Sequence, residues 1–116
     1  MTINDLLERM IDDLFNQPDA AKRSAVLPQL FTEDIVFVDP EGETHGRDAF
    51  EQKVTALLAG QPPSFRFGEV HPAQSAGDLG IHHWNLGPAG GEPVASGVDV
   101  VMVDGDRISR LWTLLD

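Results

Sequence analysis

The sequence predicts an α+β domain in which helices come first and a curved antiparallel sheet follows. In the first half of the chain, apolar side chains recur at helical spacing. From Ser64 onward, short runs alternate between apolar and polar residues and are separated by turn residues. Helices followed by antiparallel strands are typical of the α+β class. The 116 residues contain no repeat or linker, so residues 1–116 are expected to form a single domain.

Three helices are predicted before the sheet. The first is indicated by one apolar stripe with spacings of three and four residues, formed by Ile3, Leu6, Leu7, Met10, Ile11, Leu14 and Phe15. Asp19 is placed to cap a second helix, running toward Leu30, in which Pro28 removes a backbone donor and is expected to cause a kink or a break. A third helix is predicted from about Arg47 to Ala59, with its end at Gly60.

The strands are bounded by turn residues. They are predicted at Ile35–Val38, Phe65–Phe67, Leu79–Leu86, Pro93–Val103 and Arg107–Leu115. Ala76-Gly77-Asp78 and Asp104-Gly105-Asp106 are the tight turns, and the glycine-rich stretch from Gly87 to Gly91 is a longer loop. The link between residues 42 and 46 is read as polar connection without regular structure.

Strand alternation predicts which side chains share a face of the sheet. If the loop at residues 104–106 has three residues, Val103 pairs with Arg107 and Asp99 lies opposite Leu111. One face then carries His82, Trp84, Leu86, Asp99, Val101, Leu111, Thr113 and Leu115. The other face carries Ile81, His83, Asn85, Arg110, Trp112 and Leu114. An error of one residue in the register would exchange the two sets.

Asp39 closes an apolar strand and precedes Pro40. Its carboxyl group is expected to be partly desolvated, and desolvation makes a carboxylate a stronger proton acceptor. Asp before Pro is also common in turns, where it organises the backbone. On the local sequence alone, Asp39 is therefore either a proton acceptor or a turn residue.

Composition and charge restrict the function. The formal net charge of −11 opposes binding to nucleic acid or to anionic lipid. No apolar run has the length of a membrane span, and the first residues do not resemble a signal peptide. The absence of cysteine excludes disulfides and thiol chemistry and fits a cytoplasmic location. No histidine spacing typical of a metal site and no phosphate-binding loop is present, so neither a metal nor a cofactor is expected.

The segment from Leu30 to Phe50 resembles the SnoaL-like and ketosteroid isomerase-like branch of the nuclear transport factor two (NTF2-like) superfamily. The resemblance rests on Leu30-Phe31-x-x-Asp34, on Asp39-Pro40-x-Gly42 and on Gly46-Arg47-x-Ala49-Phe50. It extends more weakly over nearly the whole chain, including Asp99 and the closing strand. The superfamily hosts isomerases, cyclases, dehydratases, epoxide hydrolases and proteins without known chemistry, so the likeness implies the fold more specifically than the reaction.

The resemblance implies a cone-shaped fold whose helices and sheet enclose an apolar pocket. It implies Asp39 as a general base and Asp99 as the acid that stays protonated and donates a hydrogen bond to the developing enolate. His82 is a further candidate catalytic residue, as a substitute donor. Trp84 is a candidate donor, and the expected ligand-binding residues are Phe15, Phe37, Phe50, Trp84, Val101, Leu111 and Thr113. The chain departs from the isomerases because it contains no tyrosine to stabilise an oxyanion. Losing one such donor typically costs about a hundred- to a thousand-fold in rate, which argues against efficient steroid isomerisation.

Three functions remain open at this point. The first is acid–base catalysis of the isomerase or cyclase type on a small, mostly apolar carbonyl compound. The second is a non-catalytic domain that binds a small hydrophobic molecule or acts as a dimeric interaction module. The third is an epoxide hydrolase-like enzyme, which is ranked last because Gly97 stands where that family carries a pocket arginine. A homodimer is expected in each case, since the apolar group Ile81, Trp112 and Leu114 would otherwise be wet.

Overall fold

The computed structural model describes residues 1–116 as three helices packed on a curved, mixed sheet of seven strands that does not close. The helices are α1 (Ile3–Arg9), α2 (Ala20–Leu30) and α3 (Arg47–Ala59), and α1 continues directly into a π-helical segment, Met10–Phe15. The predicted α+β class is confirmed. No helix has both the length and the apolarity that a membrane crossing requires.

The sheet carries the polar side chains of Asp39, His82, Asp99 and Thr113. Its strands are β1 (Phe31–Asp39), β2 (Gly42–His45), β3 (Phe65–Glu69), β4 (Gln74–Ala76), β5 (Leu79–Pro88), β6 (Ala95–Asp104) and β7 (Arg107–Leu115). The order is β2-β1-β7-β6-β5-β3, with β4 paired to β5. All pairs are antiparallel except β1 with β7, which is parallel and brings the first and last strands together.

The helix predictions are confirmed with two exceptions. The stripe predicted as one α-helix is α-helical to Arg9 and π-helical from Met10 to Phe15. Asp19 caps α2 by accepting hydrogen bonds from the backbone N–H groups of Ala21 and Lys22. Pro28, however, does not break α2, which runs on to Leu30. Pro28 lies in the last turn, so only one helical hydrogen bond is lost there. The buried side chains of Leu27 and Leu30 hold this turn against the core.

Several features of the sheet differ from the prediction. The sheet is mixed rather than wholly antiparallel because β1 and β7 run parallel, and the short strand β4 was not predicted. The link read as polar connection forms β2, an edge strand paired with the end of β1. The β6–β7 turn has two central residues rather than three, with Asp104 opposite Arg107, and a bulge follows between Met102 and Val103. Asp99 therefore lies opposite Thr113, not Leu111. The shorter turn and the bulge each change the register by one residue, so the partner of Asp99 is shifted by two residues in all. A shift of two leaves each side chain on its predicted face of the sheet.

The core lies between the helices and the inner face of the sheet. Phe50 of α3 is fully buried, with its ring centroid 4.9 Å from that of Phe31 and 5.2 Å from that of Phe37. These contacts fix α3 against β1. Farther along the sheet, α1 covers the β5–β6 pair, because a Cβ atom at Gly80 would meet Ile3 and Leu7. The inner face beyond this cover is left free to border a cavity.

Candidate functional site

A cavity of about 260 Å³ lies between the π-helical segment, the end of α3 and the uncovered part of the sheet. Nine of its twelve lining residues are hydrophobic. The lining consists of Ile11, Phe15, Phe37, Leu57, Gln61, Phe67, Trp84, Leu86, Ala95, Asp99, Thr113 and Leu115. Asp99 is the one ionisable residue among them. An apolar cavity with a few convergent polar groups is the usual form of a small-molecule site.

Asp99 is held by two neighbours on adjacent strands. The β5–β6 register places His82 directly opposite Asp99, and the β6–β7 register places Thr113 on its other side. His82 Nε2 lies 2.9 Å from Asp99 Oδ2, and the Thr113 hydroxyl donates to Asp99 Oδ1 at 2.7 Å. When Asp99 is ionised its oxygens only accept hydrogen bonds, and His82 then donates through Nε2–H. Both carboxylate oxygens are thereby fixed in the cavity wall.

His82 lies behind Asp99 rather than beside the cavity. Its side chain is completely buried, and it is not among the lining residues. Its other ring nitrogen, Nδ1, has no hydrogen-bond partner. The bond to Asp99 is thus the polar contact that orients the imidazole. A molecule in the cavity would meet Asp99 first, and His82 would act on it through Asp99.

Aromatic rings form one wall of the cavity. Phe67 lies between Phe15 and Trp84, with centroid separations of 5.6 Å and 5.8 Å. Trp84 rests on Gly97, where an added Cβ atom would come within 2.5 Å of the indole ring. The absence of a side chain at Gly97 therefore sets the position of Trp84. The indole Nε1 is buried and has no hydrogen-bond partner.

Asn16 ties the π-helical segment to this wall. Its Nδ2 donates to the carbonyl of Phe67 and its Oδ1 accepts from the N–H of Phe67, both at 2.8 Å. The amide thus copies the pairing of a neighbouring strand at the free edge of β3. Ile11 and Phe15 precede Asn16 in the π-helical segment and line the cavity. Such segments often occur at functional sites.

Asp39 lies at the end of β1 and is not among the residues that line the cavity. Its Oδ2 is 3.2 Å from Lys53 Nζ, and its Oδ1 accepts from the backbone N–H of Glu41. Lys53 also donates to the Glu41 carboxylate at 2.8 Å. This second bond is the main reason why the pKa of Lys53 is raised; burial opposes the rise, and Asp39 adds to it. The two aspartates thus do not meet in one cavity.

The comparisons with known proteins give the family. The sequence profile described as SnoaL-like domain matches residues 7–111, which is most of the chain. The chain belongs to the SnoaL-like family. No curated protein matches it.

Solved structures share the fold of this SnoaL-like domain. A candidate isomerase of the SnoaL-like family from Agrobacterium tumefaciens has a TM-score of 0.88 at 24% identity, covering 97% of this chain and 95% of its own. A candidate polyketide cyclase from Sinorhizobium meliloti has a TM-score of 0.74 at 19% identity, covering 94% and 93%. An NTF2-like protein of unknown function from an Exiguobacterium species has a TM-score of 0.75 at 26% identity, covering 96% and 98%.

The remaining site residues expected from the sequence divide into two groups. Phe15, Phe37, Trp84 and Thr113 line the cavity. Phe50, Val101 and Leu111 instead lie in the core of this SnoaL-like domain and do not border the cavity. Val101 pairs with Gly80 and Leu111 in the part of the sheet that α1 covers. It therefore lies beneath α1 and outside the cavity.

Seven residues of the site were not identified from the sequence. Gly97 seats Trp84, Asn16 binds the edge of β3, and five others line the cavity, namely Ile11, Leu57, Gln61, Phe67 and Ala95. The alternation around Phe65 and Phe67 could have identified Phe67, because it places both rings on one face. The bond from Asn16 spans 51 residues and leaves no local signal.

No group of three or more His, Cys, Asp or Glu side chains is arranged to hold a metal ion. His82 and Asp99 form a pair without a third possible ligand. The rings of His71 and His83 have centroids 4.4 Å apart, and no carboxylate joins this pair to complete a metal site.

Proposed function

We propose that this SnoaL-like domain is an acid–base enzyme of the isomerase or cyclase type, acting on a small, mostly apolar carbonyl compound with Asp99 as proton acceptor. The observation that carries the proposal is the placement of Asp99, the one ionisable residue in the lining of an apolar cavity. Asp39, which the family resemblance implies as base, is bound to Lys53 instead. The proposal therefore gives the proton-transfer role to Asp99.

In the proposed reaction the carboxylate of Asp99 removes a proton from the carbon next to the ligand carbonyl. The electron pair of the broken C–H bond moves into an enolate, and Asp99 becomes a carboxylic acid. Returning the proton to a different carbon gives an isomer. Alternatively, attack of the enolate carbon on a second carbonyl of the same molecule closes a ring, and the alkoxide so formed takes the proton back from Asp99. The apolar walls exclude water that would otherwise protonate the enolate.

His82 and Thr113 act as positioning residues in this proposal. Their two hydrogen bonds hold the carboxylate plane of Asp99 in one orientation toward the cavity. Precise placement of a catalytic base is a large part of its efficiency. The donor that would replace the missing tyrosine is the Gln61 amide, since the Thr113 hydroxyl hydrogen is already bound to Asp99 and the Trp84 indole N–H, a candidate from the sequence, is buried.

Deuterium exchange tests this proposal without knowledge of the natural substrate. Small cyclic β,γ-unsaturated ketones in D₂O would be followed by proton NMR for loss of signal next to the carbonyl. Wild-type protein is expected to accelerate exchange above the buffer rate, and Asp99→Asn to reduce the acceleration by about a hundred-fold or more, because an amide cannot accept the proton. His82→Gln is expected to reduce it less, since Thr113 still holds Asp99. Exchange that persists in Asp99→Asn would refute the assignment.

A second function, non-catalytic binding of a small hydrophobic molecule, is favoured by the same aromatic wall. It predicts ligand binding without exchange by the wild-type protein. The third function, epoxide hydrolysis with an arginine between two carboxylates, finds no support, because no arginine lines the cavity.

A further inference from the structure

We propose that the cavity binds lipophilic ammonium cations in preference to neutral molecules of the same shape, with Asp99 as their counter-ion. This inference goes beyond the proposed function. It depends on the location of Asp99 in the cavity wall and not on its role as a base.

The hydrogen-bonding groups of the site are mostly acceptors. Asp99 presents oxygens alone, and the hydroxyl hydrogen of Thr113 is bound to Asp99, which leaves the lone pairs of Thr113 for a ligand. The Nε2–H of His82 is also bound to Asp99. A ligand that brings N–H donors therefore complements this end of the cavity better than a ligand that brings only acceptors.

No lysine or arginine side chain pairs with Asp99. Its one ionisable partner is His82, and no lysine or arginine lines the cavity. Lys53 lies in α3, shortly before the cavity-lining residue Leu57. It is already bound to Asp39 and Glu41. A carboxylate in an apolar environment raises the free energy of the protein unless a cation pairs with it. A cationic ligand beside Asp99 would therefore be stabilised.

The walls add a second attraction. Four of the nine hydrophobic lining residues are aromatic, namely Phe15, Phe37, Phe67 and Trp84. An aromatic ring face attracts a cation, and the attraction is stronger when the cation is desolvated. Rings around one carboxylate therefore favour an ammonium group over an uncharged group of equal size.

The charge of the whole molecule acts in the same direction. Nineteen acidic residues outnumber eight basic ones, which gives a net charge of −11. Such a field raises the local concentration of cations and lowers that of anions. It adds to the local attraction at Asp99 but does not distinguish one site from another, so the test must separate the two.

Benzylamine, which is an ammonium cation at pH 7, and benzyl alcohol form a matched pair of probes. Binding would be followed by Trp84 fluorescence in a Trp112→Phe background, since the chain has two tryptophans. Benzylamine is expected to bind roughly tenfold more tightly than benzyl alcohol. In Asp99→Asn this preference should disappear while benzyl alcohol still binds. Asp106→Asn removes an equal charge from a turn where the carboxylate is 83% exposed, and should keep the preference.

Equal affinities for the two probes in the wild-type protein would overturn the proposal, and so would a preference that survives in Asp99→Asn. The wild-type comparison decides the matter even if Asp99→Asn fails to fold. Amine preference without ketone exchange would support this inference and count against the proposed enzyme. Ketone exchange without amine preference would do the reverse.

Discussion

Asp39 and Asp99 show how the surroundings of a single residue decide what it can do. Asp39 follows four apolar residues and Asp99 lies between two valines, and both were chosen from the sequence as acid–base candidates. Asp39 ends in an ion pair with Lys53 and a turn hydrogen bond to Glu41, whereas Asp99 faces an apolar cavity between two hydrogen-bond donors. The alternation of the strands predicted the face of Asp99, but nothing local predicted the reach of Lys53 to Asp39.

The Lys53 contacts should make stability depend on pH in the alkaline range. Because the folded state raises the pKa of Lys53 above its usual 10.5, the stabilising contribution is complete below that pH and is lost as the pH rises through the folded-state value. Lys53→Met keeps most of the side-chain stem and removes the charge. In urea unfolding from pH 8 to pH 11.5, the wild-type advantage over Lys53→Met is expected to be constant at first and then to shrink above about pH 10.5. An advantage unchanged across that window would contradict the ion pairing.

Gly97 is expected to be intolerant of a side chain. A Cβ atom there would press on the Trp84 ring and on the carbonyl of Leu114. Gly97→Ala should therefore destabilise the domain by about 1–3 kcal/mol and displace Trp84 into the cavity, which weakens ligand binding. Gly60→Ala is the control, since a Cβ atom there would be 3.6 Å from its nearest neighbour. Chemical denaturation and Trp84 fluorescence give the two readouts, and equal stability of both variants would contradict this account.

At the scale of elements, the period of the apolar pattern predicted most of the fold. The bounds of α3 and the strands from β5 to β7 follow from repeats of about 3.6 and 2 residues. β2 was missed because its residues, Gly42–His45, are polar and mostly exposed, so they carry no apolar alternation. The register of β6 with β7 was missed because a bulge depends on contacts across the sheet rather than on local sequence.

Asn16 joins two elements and should contribute measurably to stability. Asn16→Ala removes both hydrogen bonds to the backbone of Phe67 and is expected to cost about 2 kcal/mol. Asn16→Asp keeps the acceptor but sets a carboxylate oxygen against the Phe67 carbonyl oxygen, so it should cost at least as much. Asn4→Ala is a matched control, because Asn4 makes one exposed hydrogen bond to Ala73. Urea unfolding of the three variants checks the order. A cost for Asn16→Ala no larger than that for Asn4→Ala would show that the clamp is not stabilising.

For the whole molecule, the homodimer expected from the sequence stays a prediction. The reason for it is the apolar side chains on the outer face of the sheet. Leu114 is 59% exposed there, and Trp112 is half-buried with the Arg110 guanidinium 5.9 Å from its ring. Pairing of this face with a second copy would cover these side chains. Sedimentation at micromolar concentration is expected to give a dimer for the wild-type protein and a monomer for Leu114→Glu. A wild-type monomer at these concentrations would contradict the prediction.

Asp99 is the one ionisable side chain that lines the apolar cavity of this fold. Its proposed role is to accept the proton from the carbon next to the ligand carbonyl. The most direct test compares Asp99→Asn with Asp39→Asn in the same ketone deuterium-exchange assay, because each substitution replaces one strand carboxylate by an amide. We expect Asp39→Asn to retain exchange within a few-fold of wild type and Asp99→Asn to lose it by about a hundred-fold or more. Loss of exchange in Asp39→Asn with exchange retained in Asp99→Asn would contradict the account.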